Sequence, residues 1–151
     1  MYYDGIKGGI NINTKEFIQS LNQLHGDEIV SLKQTKQAKE QAKKFLDDYF
    51  SNLYFQLDEV LQVSNRIKFY EDRFYEIVLD VNNLIHAPKY KNAENVPDTF
   101  EVAYRNRGSQ KKDILYIEKA QFVSKNFGLP LSERLMDQYL DAAFGSVFEK
   151  Q

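Results

Sequence analysis

The sequence predicts a mainly α fold, a helical bundle around one long helix, with one short strand or β-hairpin at most. Three observations predict it. The run from Asp27 to Ile85 contains neither glycine nor proline, the two residues that most often break a helix. Within it Leu46, Phe50, Leu53, Leu57, Val60, Ser64, Ile67, Glu71, Phe74, Val78, Val81 and Ile85 follow one another at steps of four and three, the seam of an amphipathic helix. Helix start signals also flank shorter apolar-periodic segments near both ends of the chain.

Two seam members, Ser64 and Glu71, are polar, and the apolar stripe widens around them to Leu61, Tyr70, Ile77 and Leu84. That drift is expected where a 3.6-residue helix meets a 3.5-residue repeat, and it favours packing within the chain over a strict coiled coil. One straight helix over the whole run would be roughly 90 Å long. The run is therefore either continuous and protruding or folded back at Ser51-Asn52 or Ser64-Asn65, where two poor helix formers adjoin.

Taken in order, residues 1–12 place Gly5, Gly8 and Gly9 among Ile6, Ile10 and Ile12 and read as a flexible N-terminal arm. Asn13-Thr14-Lys15-Glu16 matches a capping box ahead of Phe17, Ile18, Leu21 and Leu24, and Gly26 is a natural end for that short helix. Asp27 and Glu28 suit the positive end of the long helix that follows. Pro88 disfavours helical geometry in Ala87 and closes the run. Residues 88–111 read as an irregular loop holding one short strand, 99–104, in which Phe100, Val102 and Tyr104 alternate with Thr99, Glu101 and Ala103. A lone strand leaves both edges unpaired, so it implies a pairing partner in the N-terminal arm or on another subunit. A helix is expected from about Lys112 to Asn126, and Ser132 caps a last helix with Leu135, Met136, Tyr139, Leu140, Ala143, Phe144, Val147 and Phe148 on its inner side.

The whole chain, residues 1–151, reads as a single helical domain, long enough to bury a core. It has no cysteine, which removes disulfides, thiolate catalysis and cysteine-type zinc sites and fits a reducing compartment. No long apolar window and no basic-then-apolar leader is visible, so the expected setting is cytoplasmic, or host cytoplasm or virion for a phage-encoded chain. The net charge of −2 argues against polyanion binding by the surface as a whole.

Chemistry-bearing constellations are scarce. His25 and His86 lie in separate segments, and neither belongs to a Glu-x-x-His or His-Glu-x-x-His pattern. No glycine-rich phosphate cradle occurs. Adjacent carboxylates such as Asp47-Asp48 diverge on a helix, so no metal site, no cofactor and no catalytic residue is expected. Glu71, on the apolar seam, is expected to pair with a nearby cation or to turn away from the core.

Two surfaces remain. Tyr49, Tyr54, Phe55, Tyr70 and Tyr75 cannot all face one narrow stripe, and outward aromatics are typical of interface centres. Lys36, Lys39 and Lys43 share a helix face, and Arg105, Arg107, Lys111 and Lys112 form a basic loop. Both basic strips are read foremost as solvated and, in the alternative, as phosphate contacts.

The strand Thr99-Phe-Glu-Val-Ala-Tyr104, the following Arg105-Asn106-Arg107, a helix, and then Gly128-Leu-Pro-Leu-Ser132 opening another helix resemble the C-terminal part of tailed-phage portal proteins. The resemblance covers about the last half of the chain and carries over no functional residue. It implies membership of a ring-shaped assembly through which DNA passes. The functional expectation is thus a non-enzymatic helical interaction or assembly protein, phage-related, acting through aromatic helix faces on a protein partner or a second copy. The alternative is a nucleic-acid-binding protein or regulator using the basic strips.

Overall fold

The computed structural model describes residues 11–149. The chain divides into two compact units, Met1–Lys33 and Gln34–Gln151. Most of the arm expected over residues 1–12 lies outside the described residues.

In the first unit, helix α1 spans Thr14–Leu24. Asn13 caps it as the sequence predicts: its side-chain oxygen accepts from the Glu16 N–H at 2.8 Å and its amide donates to the Glu16 carboxylate at 2.7 Å. His25 is the single residue between α1 and helix α2, Gly26–Val63. Helical hydrogen bonding runs through it, from the His25 N–H to the Leu21 carbonyl and from the Ile29 N–H to the His25 carbonyl, each 3.0 Å.

The long helix ends 22 residues before Ile85, at Val63. The Ser64 N–H makes a last helical bond to the Val60 carbonyl, and the Ser64 hydroxyl then accepts from the Arg66 N–H at 3.1 Å and turns the chain. No helix resumes in the remainder of that run, up to Ile85. Six strands follow: β1 Ile67–Tyr70, β2 Phe74–Leu79, β3 Asn83–Pro88, β4 Thr99–Asn106, β5 Ser109–Glu118 and β6 Gln121–Ser124. They form one antiparallel sheet in the order of the sequence, β1 through β6. The expectation of a mainly α bundle with one strand at most is therefore corrected to a mixed fold in which helices cover a six-stranded sheet. The all-helical interaction module inferred from it falls as a description of the molecule.

The correction has a local physical cause. In β2 and β3 the core-facing residues, Tyr75, Ile77, Ile85 and Ala87, recur at steps of two. The strand 99–104 is the middle of an ordered sheet, with Ile85 opposite Tyr104 on one side and Val102 opposite Asp113 on the other. It needs no partner from the arm or from another chain. The expected helix over 112–126 is β5 and β6, which alternate buried Asp113 and Leu115 with exposed Ile114 and Tyr116. Arg107-Gly108 joins β4 to β5 as a two-residue hairpin turn with positive φ at both positions, +52° and +84°, a turn whose twist matches that of the strands.

Helix α3, Glu133–Phe148, starts where the sequence places it. The Ser132 hydroxyl accepts from the Leu135 N–H at 3.3 Å. The second half of α2 and α3 lie on the same face of the sheet. From α2, Phe50 stacks on Tyr75 at 4.5 Å between ring centroids; from α3, Tyr139 meets Tyr104 at 5.7 Å. Ala38, Ala42, Leu46 and Phe50 are the buried residues of α2. Side chains such as Phe50, Leu115 and Leu135, at most 1% exposed, each contribute roughly 1.5–3 kcal/mol on burial.

Candidate functional site

Three places in the second unit bring together groups that a ligand or reaction would use. The first is a buried polar cluster. Asp113 on β5 is fully buried; one carboxylate oxygen accepts from the Ser124 hydroxyl and from the Tyr139 hydroxyl at 2.6 Å, and the other accepts from the Asn126 N–H at 2.8 Å. The Ser124 hydroxyl in turn accepts from the Phe127 N–H at 3.0 Å. Burial, with the hydrogen bond to Asp113 next, pushes the Tyr139 phenol far above its ordinary value, so it stays a neutral donor. Asp113, Ser124 and Tyr139 are all sealed from solvent, so the cluster pins β5, the loop after β6 and α3 together and offers no access to a substrate.

The second is the open face of the sheet. Glu76 stands directly opposite His86 across β2 and β3, with the imidazole Nδ1 3.1 Å from the carboxylate and the Phe74 ring 4.5 Å from the imidazole. The register continues the row through Ala103 to Lys112. An imidazole–carboxylate pair is the raw material of acid–base catalysis, but this one lies in no cleft and serves as a cross-strand pair. His25 is likewise paired, with Glu28 at 2.7 Å.

The third is an apolar groove of about 580 Å³. Leu53, Leu57 and Val60 of α2 form one wall, and Leu140, Asp141, Phe144, Gly145 and Phe148 of α3 form the other. Ile67, Ile77 and Leu79 make its floor, and Ser64 and Arg66 close the end where α2 gives way to β1. Val60 and Phe148 remain 42% and 56% exposed. The volume falls within the range of small-ligand sites, and the lining is apolar except at that end and at Asp141.

Two charges on the lining differ in kind. Arg66 is spent: its Nε donates to Asp80 at 2.7 Å and its Nη2 donates to the other carboxylate oxygen, and these bonds hold the Asp80 carboxyl below the usual carboxylate range. Asp141 has no ion-pair partner among the described residues. It lies over Gly145, where a Cβ would come 2.5 Å from its Oδ1, so the glycine makes room for the carboxylate.

The residues singled out from sequence scatter. Tyr75 is core, 2% exposed, and donates to Asp47 at 2.6 Å; burial, then that bond, raises its pKa strongly. Tyr49 is half-buried against Phe45 and Phe50, and burial, then Asp137 and Glu133, push its phenol up to about 12. Tyr54 leans edge-on against Phe69 at 5.1 Å, Phe55 is 78% exposed, and Tyr70 stands on β1 with its side chain on the open sheet face. They share no surface. In the basic strips Lys39 pairs with Asp98 at 2.8 Å and Lys43 with Asp47 at 2.5 Å, leaving Lys36 of the three without an ion pair among the described residues. Arg105 donates to Gln110 and to the Val81 carbonyl, and Arg107 to the Ser146 carbonyl. Glu71 is exposed in the turn between β1 and β2, off any apolar seam.

No group of three or more His, Cys, Asp or Glu residues among the described ones is placed to hold a metal ion, and no described helix is long and apolar enough to cross a membrane. The class defined here is a six-stranded antiparallel meander, covered on one face by two helices with an apolar groove between them. No family model, curated protein or solved structure matches this chain.

Proposed function

We propose that this protein binds an amphiphile in the groove between α2 and α3, with the apolar body of the ligand against Leu57, Val60, Leu140 and Phe144 and its cationic group at Asp141. The observation that carries the reading is the contiguous apolar lining whose one charge without an ion-pair partner among the described residues is a carboxylate. Apolar surface left facing water gains from being covered, at about 25 cal/mol per Å². Arg66, neutralised by Asp80, does not cancel the preference for a cation. The role is binding without a covalent step. The cysteine-free chain suits the cytoplasm.

The test is isothermal titration with dodecyltrimethylammonium and with dodecyl sulfate, each below its micelle concentration. The cationic amphiphile is expected to bind at least tenfold more tightly, with the negative heat-capacity change that marks apolar burial. Asp141→Asn is expected to remove the preference and keep the affinity for the alkyl chain. Absence of binding, or a preference for the sulfate, overturns the reading.

A further inference from the structure

Glu133, Asp137 and Asp141 sit at i, i+4 and i+8 on α3, and all three are exposed. At about 100° per residue they fall within about 80° of the helix circumference, the arc that also holds Phe144 and Phe148 of the groove wall. None of the three has an ion-pair partner among the described residues. Arg134, the one cation of α3, lies at the margin of that arc and pairs with none of them. The helix itself does not ask for such a row. Glu133 suits its positive end, but Asp137 and Asp141 lie beyond the first turn, where aspartate is a poor helix former and like charges four apart repel.

The row borders a trough longer than the apolar groove. A second cavity, of about 480 Å³, lies between Phe45, Tyr49, Asn52 and Gln56 of α2 and Glu133 of α3, and Leu53 lines both cavities. The earlier residues of both helices line this cavity and the later ones line the groove, so α2 and α3 run side by side in the same direction. From Phe45 to Val60 the α2 wall measures roughly 22 Å, about four turns. Burial, then Asp137 and Glu133, raise the Tyr49 phenol, which agrees with both carboxylates facing that wall.

We infer that this trough takes a basic amphipathic helix of a partner protein, with its apolar face in the groove and its lysine or arginine side chains on Glu133, Asp137 and Asp141. The inference rests on the groove being a binding site for an amphiphile and names the class of that amphiphile. A single-headed amphiphile meets one carboxylate and leaves two uncovered. Carboxylates four residues apart are separated by about 6 Å along α3, and a helix laid beside it presents cations at the same repeat, so each acid meets a base. Apolar anchors at helical spacing fill the groove alongside. The α2 wall adds no competing cation: Asn52 and Gln56 are neutral, Asp48 is already paired with Lys44 at 2.6 Å, and Arg66 at its end is paired with Asp80. The same carboxylates repel phosphate headgroups, which sets an anionic membrane surface aside.

The probe is an alanine-based helical peptide of about 18 residues, the length of the trough with a turn to spare, carrying leucines on one face and a lysine beside them at every fourth position. The full chain is titrated with it, with the same peptide bearing glutamate in place of lysine, and with a peptide of equal composition whose lysines lie opposite the leucines. The lysine peptide is expected to bind at least tenfold more tightly than either control, with an affinity that falls as salt rises. Glu133→Gln combined with Asp137→Asn is expected to weaken it at least tenfold and to retain a cooperative thermal transition. No binding of the lysine peptide, equal binding of the three peptides, or an unchanged affinity in the folded double variant overturns the inference. If the lysine peptide fails and dodecyltrimethylammonium still binds the unmodified chain, the groove reading survives alone; if neither binds, both fall.

Discussion

The Asp113 cluster and the α2–α3 groove sit in the same unit and have opposite characters. The cluster gathers a carboxylate, two hydroxyls and backbone amides, the groups that chemistry needs, and buries them where every hydrogen bond is already made. The groove gathers leucine, valine and phenylalanine and leaves part of them facing water. A buried polar cluster is stable only when fully satisfied, so its groups are committed to one another. Apolar surface at a rim has no such commitment, and covering it is the interaction still open to the molecule. The contrast separates what holds this fold together from what it offers to a partner.

Breaking the cluster gives the largest effect. Asp113→Ala strands the Ser124 and Tyr139 hydroxyls and the Asn126 N–H without their acceptor, and urea denaturation is expected to show a loss of about 3–5 kcal/mol. A stability change under 1 kcal/mol would mean that the cluster is not a structural pin. Val60→Asp sharpens the other side. Val60 is 42% exposed, so unfolding is expected to shift by less than about 1 kcal/mol, while titration of dodecyltrimethylammonium shows at least a tenfold loss of affinity, about 1.4 kcal/mol. Equal affinity in the variant would place the ligand elsewhere.

The smallest effect is a pH dependence away from the groove. Burial raises the Tyr49 and Tyr90 phenols from 10.0 to about 12, so the folded protein holds them neutral where the unfolded chain ionises them. Their stabilisation is present in full below pH 10 and is lost as pH rises from 10 through about 12. Tyr49→Phe is expected to flatten that alkaline loss in denaturation curves taken across the interval, with amphiphile binding at neutral pH unchanged. An identical alkaline slope in the variant would show that Tyr49 titrates as an exposed phenol.

Local signals at the helix ends were legible in the sequence. Asn13 and Ser132 cap the helices they were expected to cap, and Ser64-Asn65 is where the long helix ends. The strands after it were not, because Ile67, Phe74, Val78 and Ile85 satisfy the helical period and also lie on strands. Turn chemistry concealed the change. The β2–β3 loop uses Asp80 and Val81 at φ of +52° and +69°, where a glycine or asparagine would have announced a hairpin. Gly108, beside the basic residues, was the one clear hairpin signal in the sheet, and the charge around it drew the reading toward a loop. The groove was half legible. Leu53, Leu57, Val60, Leu140 and Phe144 were recognised as apolar helix faces and assigned inward, but a gap between two helices depends on how far apart the sheet sets them. No single segment encodes that spacing.

The two outermost strands, β1 and β6, are four residues each. So short a border exposes few free amides and carbonyls, and on the β6 side part of it is taken by the bridge from Val123 to Pro130, a residue with no N–H to give. Growth of the sheet by adding a strand from a neighbouring molecule is thereby discouraged at both margins.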